Sequence, residues 1–350
     1  MTDKIRIAVL GASGYTGADL VRLAARHPNA EIVALTANTH AGKPMAAVFP
    51  HLSVLDLPDL VEWEVVDWNK VDAVFCGLPH GTTQKITASI LADNRDIRII
   101  DMSADFRLRD PDVYAEWYGH EHYAPVLQEE AVYGLTEFYR SKIASARLIA
   151  CPGCYPTAVL LALLPVVAEG LVDPSDIIID AKSGVTGAGR GLKQNTLFCE
   201  AGEGLSPYSI ASHRHAPEIE QEIGRAAGMQ LLVNFTPHLI PMSRGELCTS
   251  YLRLKPGASV TALREALKIR YQDEEFVQVL EEGVMPQTQN VRGSNYVQIG
   301  VFADRIRERA IVISTLDNLV KGSAGQALQN MNVAFGLEET TGLGQLPLFP

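Results

Sequence analysis

Long hydrophobic runs are missing from this sequence. The longest, Ala158 to Ala168, is interrupted by Pro165 and is far shorter than the roughly 20 apolar residues that span a bilayer, so no membrane role is expected. Basic residues are also in deficit: 30 Lys and Arg stand against 41 Asp and Glu, a formal net charge of -11. Nucleic acid and anionic lipid are attracted by basic faces, so neither is an expected partner. Cysteine is scarce and odd in number, at five (Cys76, Cys151, Cys154, Cys199 and Cys248). That excludes a disulfide framework and leaves reduced thiols, one of which could do chemistry. The opening MTDKIRIAVLGASG has too short an apolar core for a secretory signal, so a cytoplasmic location is expected.

What is present points to a soluble globular protein. The 350 residues are 47% hydrophobic and 20% charged, and a prior of roughly 150 residues per domain suggests two domains. The first half alternates short apolar runs (Ile5 to Leu10, Glu31 to Leu35, Ala73 to Cys76, Arg98 to Asp101, Leu148 to Cys151) with helical patterns such as Ala18 to Arg26. This is the mark of a parallel sheet with helical crossovers. After Cys154 the texture changes to Ile177 to Ala181 and to longer alternating strands, Glu246 to Leu254 and Tyr296 to Asp304. The last leads through the charged turn Asp304 to Glu308 into Ala310 to Ser314, an expected antiparallel hairpin. A final helical stretch, Gly325 to Gly336, is expected to return to the first domain.

The first strand runs into Gly11-Ala12-Ser13-Gly14-Tyr15-Thr16-Gly17 and then a helix. Glycines there let the backbone approach a pyrophosphate, and the helix N-terminus supplies N–H donors. The spacing is GxxGxxG rather than GxGxxG, and a Gly-rich turn without a ligand is the alternative reading. The second strand ends in Thr36-Ala37-Asn38-Thr39-His40, with Lys43 close behind. A carboxylate at this place would repel a 2′-phosphate; its absence favours NADP over NAD.

Cys154 stands in Cys151-Pro152-Gly153-Cys154-Tyr155-Pro156-Thr157, just before an apolar helical run. Pro156 suits a first helical turn, which puts the sulfur at a helix N-terminus, where a thiol pKa is lowered and a nucleophile results. A CxxC redox pair, half of a zinc site and an inert buried cysteine are the other readings of this stretch. The cluster Ser212-His213-Arg214-His215-Ala216-Pro217-Glu218 offers two histidines that could move a proton, or a solvated loop. Ser183-Gly184-Val185-Thr186-Gly187-Ala188-Gly189-Arg190 and Ser103-Ala104-Asp105-Phe106-Arg107 each set an arginine near a turn suited to phosphate, or serve only as turns.

In order along the chain, GASGYTG, LPHG, SADFRL, PGCYPTA, SGVTGAGR, HRHAPEIEQ and DNLVKGSAGQALQNMN resemble the N-acetyl-γ-glutamyl-phosphate reductases of the aspartate-semialdehyde dehydrogenase superfamily, from Ile7 to about Leu343. The resemblance implies an α/β fold: a Rossmann-type dinucleotide-binding domain (residues 1–153 plus 314–350) with an inserted α+β catalytic and oligomerisation domain (154–313). It implies Cys154 as nucleophile and His213 as acid/base. It also implies Gly11, Ser13, Gly14, Tyr15, Thr16, Gly17, Thr36, Pro79, Gly184 and Asn318 near NADP, and Arg107, Arg190, His215 and Glu218 in the substrate pocket. No metal is implied. The implied reaction is NADPH-dependent reduction of an acyl phosphate through a cysteine thioester, by a homodimer or homotetramer. Many relatives carry Thr-Ser-Arg after the second strand where this chain has Thr36-Ala37-Asn38, so His40 or Lys43 would have to take over the 2′-phosphate. A related reductase acting on a carrier-bound aminoadipyl phosphate is the nearest rival; it tends to read Gly-Cys-Asn-Ala where this chain reads Gly153-Cys154-Tyr155-Pro156. Aspartate-semialdehyde dehydrogenase and a non-catalytic dinucleotide sensor are more distant alternatives.

Overall fold

The computed structural model describes residues 4–350, and these fall into two compact units, one of residues up to Pro152 with Ser323–Gly344 and one of Gly153–Gly322 with Gln345–Pro350. Among the described residues no helix is long and apolar enough to cross a membrane.

The first unit is built on a seven-stranded sheet. Its strands are β1 (Ile5–Leu10), β2 (Ala30–Thr36), β3 (Leu60–Val61), β4 (Ala73–Cys76), β5 (Arg98–Asp101), β6 (Val132–Tyr133) and β7 (Leu148–Ala150). They are ordered β3-β2-β1-β4-β5-β7-β6, and every pairing is parallel. Strands buried on both faces read as continuous apolar runs, which is why the five longer ones were legible in the sequence. β3 and β6, two residues each, are too short to carry a pattern. The chain leaves β1 for β2 on one side and later returns to β4 on the other, creating the switch point outside the carboxyl ends where α/β sheets take ligands. The expected helix after β1 starts earlier than the sequence suggested, at Tyr15, and spans Tyr15–Ala24.

The Gly325–Ala334 helix belongs to this unit and packs against the Tyr15–Ala24 and Thr136–Ile143 helices. All ten of its residues are buried although five are polar or glycine, so their side chains must find partners. Asn330 donates to the Gly134 carbonyl (2.8 Å) and accepts from the Thr136 hydroxyl (2.8 Å). A Cβ on Gly134 would stand 2.7 Å from the Asn330 amide, so only glycine leaves room for this clasp.

The second unit holds a mixed sheet of β8 (Val172–Gly184), β9 (Ser206–Pro207), β10 (Asn234–Ile240), β11 (Glu246–Leu254), β12 (Val277–Val279), β13 (Val297–Ala303) and β14 (Arg309–Leu316). The order is β12-β13-β14-β11-β8-β10-β9. β13 and β14 form the expected antiparallel hairpin. β10 escaped the sequence reading, because Pro237 and His238 break its apolar pattern; it pairs in parallel with β8. Along β8, Ile177, Ile179 and Ala181 are buried while Ile178, Asp180 and Lys182 reach the opposite face, the period of two that a half-covered sheet requires.

The covered face carries the Cys154–Ala168 helix, which contacts β8, β11 and β14 and is flanked by the Ala216–Ala227 and Val260–Tyr271 helices. It is apolar all round and buried from Tyr155 to Val167. It continues through Pro165. Proline removes the N–H that would bond the carbonyl four residues back; here the orphaned Leu161 carbonyl accepts the Tyr271 hydroxyl at 2.5 Å instead. Tyr271→Phe should therefore cost about 1–3 kcal/mol by stranding a buried acceptor, measured by urea denaturation. In a Pro165→Ala background the same change should cost much less, since the restored N–H satisfies Leu161; equal costs in both backgrounds would refute the substitution of one donor for the other.

Candidate active site

In the first unit the turn after β1 is shaped by glycine. Gly11 has φ +76°, a region L-residues avoid, and a Cβ there would meet the Gly77 carbonyl oxygen at 2.5 Å. A Cβ on Gly17 would meet the Gly11 oxygen at 2.5 Å. The loops after β1 and β4 thus approach each other backbone to backbone. Gly14 caps the Tyr15–Ala24 helix without any side-chain acceptor, and the first turn holds no acid, so the N–H groups at this end suit an external anion. Thr36 closes β2, and its carbonyl accepts from Ala12 N (3.0 Å). This brings the Gly11 to Gly17 turn beside the end of β2, where Asn38 and Lys43 are exposed. Pro79 lies in the loop after β4, its carbonyl accepting from Thr82 N (3.2 Å).

The SADFR segment after β5 makes several bonds within the first unit. Asp101 is fully buried and accepts from Ser103 N (2.8 Å) and its hydroxyl (2.9 Å). Burial, and then the Asp105 carboxylate, push its pKa up to about 7. Asp105 accepts from Gly81 N, Thr83 N and the Tyr114 hydroxyl, binding the LPHG loop to the next helix. Arg107 is turned inward, with Nε on the Cys151 carbonyl (2.8 Å) and Nη2 on the Met102 carbonyl (3.0 Å).

In the second unit Cys154 is the first residue of its helix, with Gly153 as N-cap. Gly153 N donates to Glu218 Oε1 at 2.9 Å, so the buried Glu218 carboxylate takes the place of a side-chain cap. The His215 ring lies on Gly153: a Cβ there would stand 2.4 Å from Nε2. His213 and His215 are edge-on at 4.7 Å between centroids, and both are edge-on to Tyr155 at 5.7 and 5.8 Å. Both histidines and Glu218 are thereby gathered around residues 153 to 155, next to the expected nucleophile, Cys154. His213 Nδ1 accepts from His215 N at 3.1 Å, which puts the proton of the neutral ring on Nε2. Burial, and then the Arg214 charge, lower its pKa to about 4. His213 is therefore a neutral donor at physiological pH.

Gly184 closes β8, where a Cβ would meet the Met242 and Ser243 carbonyl oxygens at 2.8 Å. Asn318 accepts from Gly245 N (2.9 Å) and donates to the Thr186 hydroxyl (3.0 Å), so it ties the loop after β8 to the entry of β11. Arg190 is exposed on that loop.

Two features differ from the sequence expectation. The Cys154 thiol is raised well above its ordinary pKa, first by burial and then by the Glu246 carboxyl; the helix end does not outweigh them. Glu246 itself was missed. It is the one acid in Glu246–Leu254, visible in the sequence as the carboxylate that opens the strand, and it is wholly buried.

Residues 6–146 match the semialdehyde dehydrogenase NAD binding domain and residues 154–318 the semialdehyde dehydrogenase dimerisation domain. The N-acetyl-γ-glutamyl-phosphate reductase of Rhodospirillum rubrum is 57% identical over 100% of both chains. A protein of Arabidopsis thaliana described as a probable chloroplastic N-acetyl-γ-glutamyl-phosphate reductase is 54% identical over 99% of this chain and 86% of its own. The chain belongs to the N-acetyl-γ-glutamyl-phosphate reductases of the semialdehyde dehydrogenase family. The fold is shared more widely: aspartate semialdehyde dehydrogenase II of Vibrio cholerae superposes with TM-score 0.72 at 15% identity, covering 96% of this chain and 99% of that one. The Candida albicans aspartate semialdehyde dehydrogenase with NADP gives 0.68 at 17%, covering 95% and 98%.

For a member of this family, a histidine held neutral by burial carries a stability signature. Its folded pKa lies below the unfolded value, so between about pH 6.5 and about pH 4 the unfolded chain binds the extra proton and stability falls as pH falls. The urea midpoint of His213→Gln should decline less over that window than that of the wild type; parallel declines would mean His213 is not buried neutral.

Proposed function

We propose that this chain reduces N-acetyl-γ-glutamyl phosphate to the semialdehyde and phosphate in arginine biosynthesis, with NADPH as hydride donor and Cys154 as nucleophile. The observation that carries the reading is the placing of the Cys154 thiol at the capped end of a fixed helix with a neutral imidazole donor beside the next residue. The 57% identity over the whole length of the R. rubrum reductase supplies the substrate class.

The first unit holds the dinucleotide. The Gly11 to Gly17 turn and the uncapped helix N-terminus receive the pyrophosphate, and the neutral end of β2, with Lys43 near it, accepts a 2′-phosphate without a repelling carboxylate. When bound, the cofactor supplies hydride. The second unit does the covalent chemistry. Cys154 Sγ attacks the acyl carbon, the C–O bond to phosphate breaks, and a thioester remains on the enzyme. After hydride addition at that carbon, the thiohemiacetal oxyanion is held by the Nε2–H of His213 and collapses to the aldehyde, releasing the sulfur. Glu218 and His215 fix the Gly153 backbone and so the direction of the Cys154 side chain. Arg190, on its exposed loop, is the cation suited to the departing phosphate. The domain roles follow: dinucleotide binding in the N-terminal part with the C-terminal helix, catalysis in the inserted part. Reduced thiols and this chemistry fit the cytoplasm.

Phosphate-dependent reduction of NADP by the purified protein with N-acetylglutamate semialdehyde is the direct test. Activity should exceed that with NAD, and Cys154→Ser should abolish it. A folded wild type inactive with both cofactors would overturn the reading; equal rates with NADP and NAD would overturn the cofactor preference.

The uncovered face of the second sheet suits a second copy of the chain. Ile178, Ile240, Tyr251, Phe302, Ile311 and Ile313 lie partly exposed on it, and the matching family domain is described as a dimerisation domain. A homodimer or homotetramer built on this face is expected. Ile313→Glu, on β14, should convert the assembly toward monomer in sedimentation velocity; a wild type that sediments as monomer at micromolar concentration would exclude it.

A further inference from the structure

Between β8 and the histidine pair the chain makes a long excursion with almost no interior. Among the described residues none from 187 to 212 is buried, and the regular structure there is short: Gln194–Thr196, the helix Phe198–Ala201 and β9. A stretch of this length in a compact domain is uncommon and normally has a task. Its apolar side chains face water. Leu192 is 91% exposed and Phe198 87%, with Leu197, Leu205 and Ile210 exposed in the same stretch. Ordering a chain costs conformational entropy that burial has to offset, and here the chain itself supplies little burial. The backbone is strained as well. Glu203, Ser209 and Ala211 are three of the four non-glycine residues with positive φ among the described residues, at +57°, +46° and +55°; such conformations persist only where surrounding contacts enforce them.

Local bonds hold the stretch to itself, as from Gly202 N to the Phe198 carbonyl (2.7 Å) and from Ala201 N to the Leu197 carbonyl (2.8 Å). Its far end is pinned to the second sheet, where Ser206 and Pro207 of β9 pair with Leu239 and His238 of β10 and Tyr208 N donates to the Pro237 carbonyl (3.1 Å). β9 is the outermost strand, beside β10 and then β8, which carry Ile240 and Ile178 on the uncovered face. Charge also selects the cover. The stretch sets Arg190 and Lys193 against Glu200 and Glu203, so it is neutral, and a partner of net charge -11 meets it without like-charge repulsion.

We propose that residues 187–212 are an arm that docks on a second copy of this chain, with Leu192 and Phe198 as its anchors. The proposal rests on the homo-oligomer reading and goes beyond it, since that reading needs only the sheet face. A second copy is the occupant because the arm is continuous with that face and lies wholly inside the residues matched by the dimerisation domain. A few large side chains seated in a partner carry most of an interface's affinity, and each acts twice in a two-fold assembly. The arm also leads into the candidate active site. Tyr208, near its end, donates to the Tyr155 hydroxyl (3.2 Å) and lies edge-on to His213 at 5.3 Å between centroids. Seating the arm on the partner fixes the segment that delivers the histidine pair.

Cys199, exposed on the arm next to Phe198, reports the cover directly. Its labelling by iodoacetamide, followed by peptide mass spectrometry, should be on the order of 10-fold slower in the wild-type oligomer than in the Ile313→Glu monomer, since access controls thiol modification; sedimentation velocity gives the state of each. The double change Leu192→Ser with Phe198→Ser, at exposed positions and with folding checked by circular dichroism, should weaken association on the order of 10²-fold. Equal Cys199 rates in oligomer and monomer, or unaltered association of the double variant, would overturn the proposal and leave the sheet-face reading intact. Protection that appears in the monomer on adding NADP would make the arm a lid on its own chain and overturns the proposal too. A wild type that is monomeric at micromolar concentration removes both readings. If Ile313→Glu does not fold, the wild type is labelled across dilution from micromolar to nanomolar protein instead: the Cys199 rate should rise in step with dissociation, and a rate indifferent to dissociation overturns the proposal.

Discussion

The burial of one wholly apolar helix sets the rest of the second unit. Cys154–Ala168 has no polar face to turn to water, so it is stable only where every side is covered. The sheet covers one side and two helices the others, and the core so formed leaves the helix no freedom to slide or rotate. The Cys154 sulfur stands at the first residue of this fixed rod. Its position is therefore decided by packing more than ten residues long, and local groups need only trim it: Glu218 on the Gly153 N–H, His215 against the Gly153 Cα, and Gly322 yielding room for Cys154 Cβ.

The same burial sets the electrostatics. Taking a thiol and a carboxyl out of water raises both pKa values, and Cys154 and Glu246 both show it. The helix end, whose partial charge favours a thiolate, acts against a larger penalty. The resting site accordingly holds its sulfur protonated. A protonated thiol is spared adventitious oxidation, since reactivity follows the thiolate. The imidazole is treated in the same way: burial keeps His213 neutral, and the His215 N–H chooses its tautomer.

The two units solve opposite problems with backbone. In the first, Gly11 and Gly17 clear space so that main chain can approach main chain. In the second, a carboxylate occupies the place an anion would take at a helix N-terminus. The Gly325–Ala334 helix completes the first unit with buried amides, among them Asn330 and Gln326, each bonded to the Gly134 carbonyl. Polar residues that look like a surface in sequence are thus a core in structure.

The sequence by itself determined the architecture and the chemistry-bearing residue types. The parallel strand β4 is a continuous apolar run, and β1 carries one from Ile7 to Leu10, because both faces are covered; the alternation of β11 and the β13–β14 hairpin records a half-covered sheet. The glycine turn and the Gly153-Cys154-Tyr155-Pro156 junction are legible because their geometry needs particular residues at adjacent positions. Tertiary structure alone decided the rest. β10 is a strand because β8 pairs with it, despite Pro237; the helix passes Pro165 because Tyr271, distant in sequence, supplies the missing donor. Glu218 is a backbone anchor rather than a visible cap, and Arg107 bonds carbonyls of its own unit. The physical reason is the same in each case. Propensity and periodicity are local, whereas burial, register and the pairing of polar groups are settled by whichever distant segment packs against them.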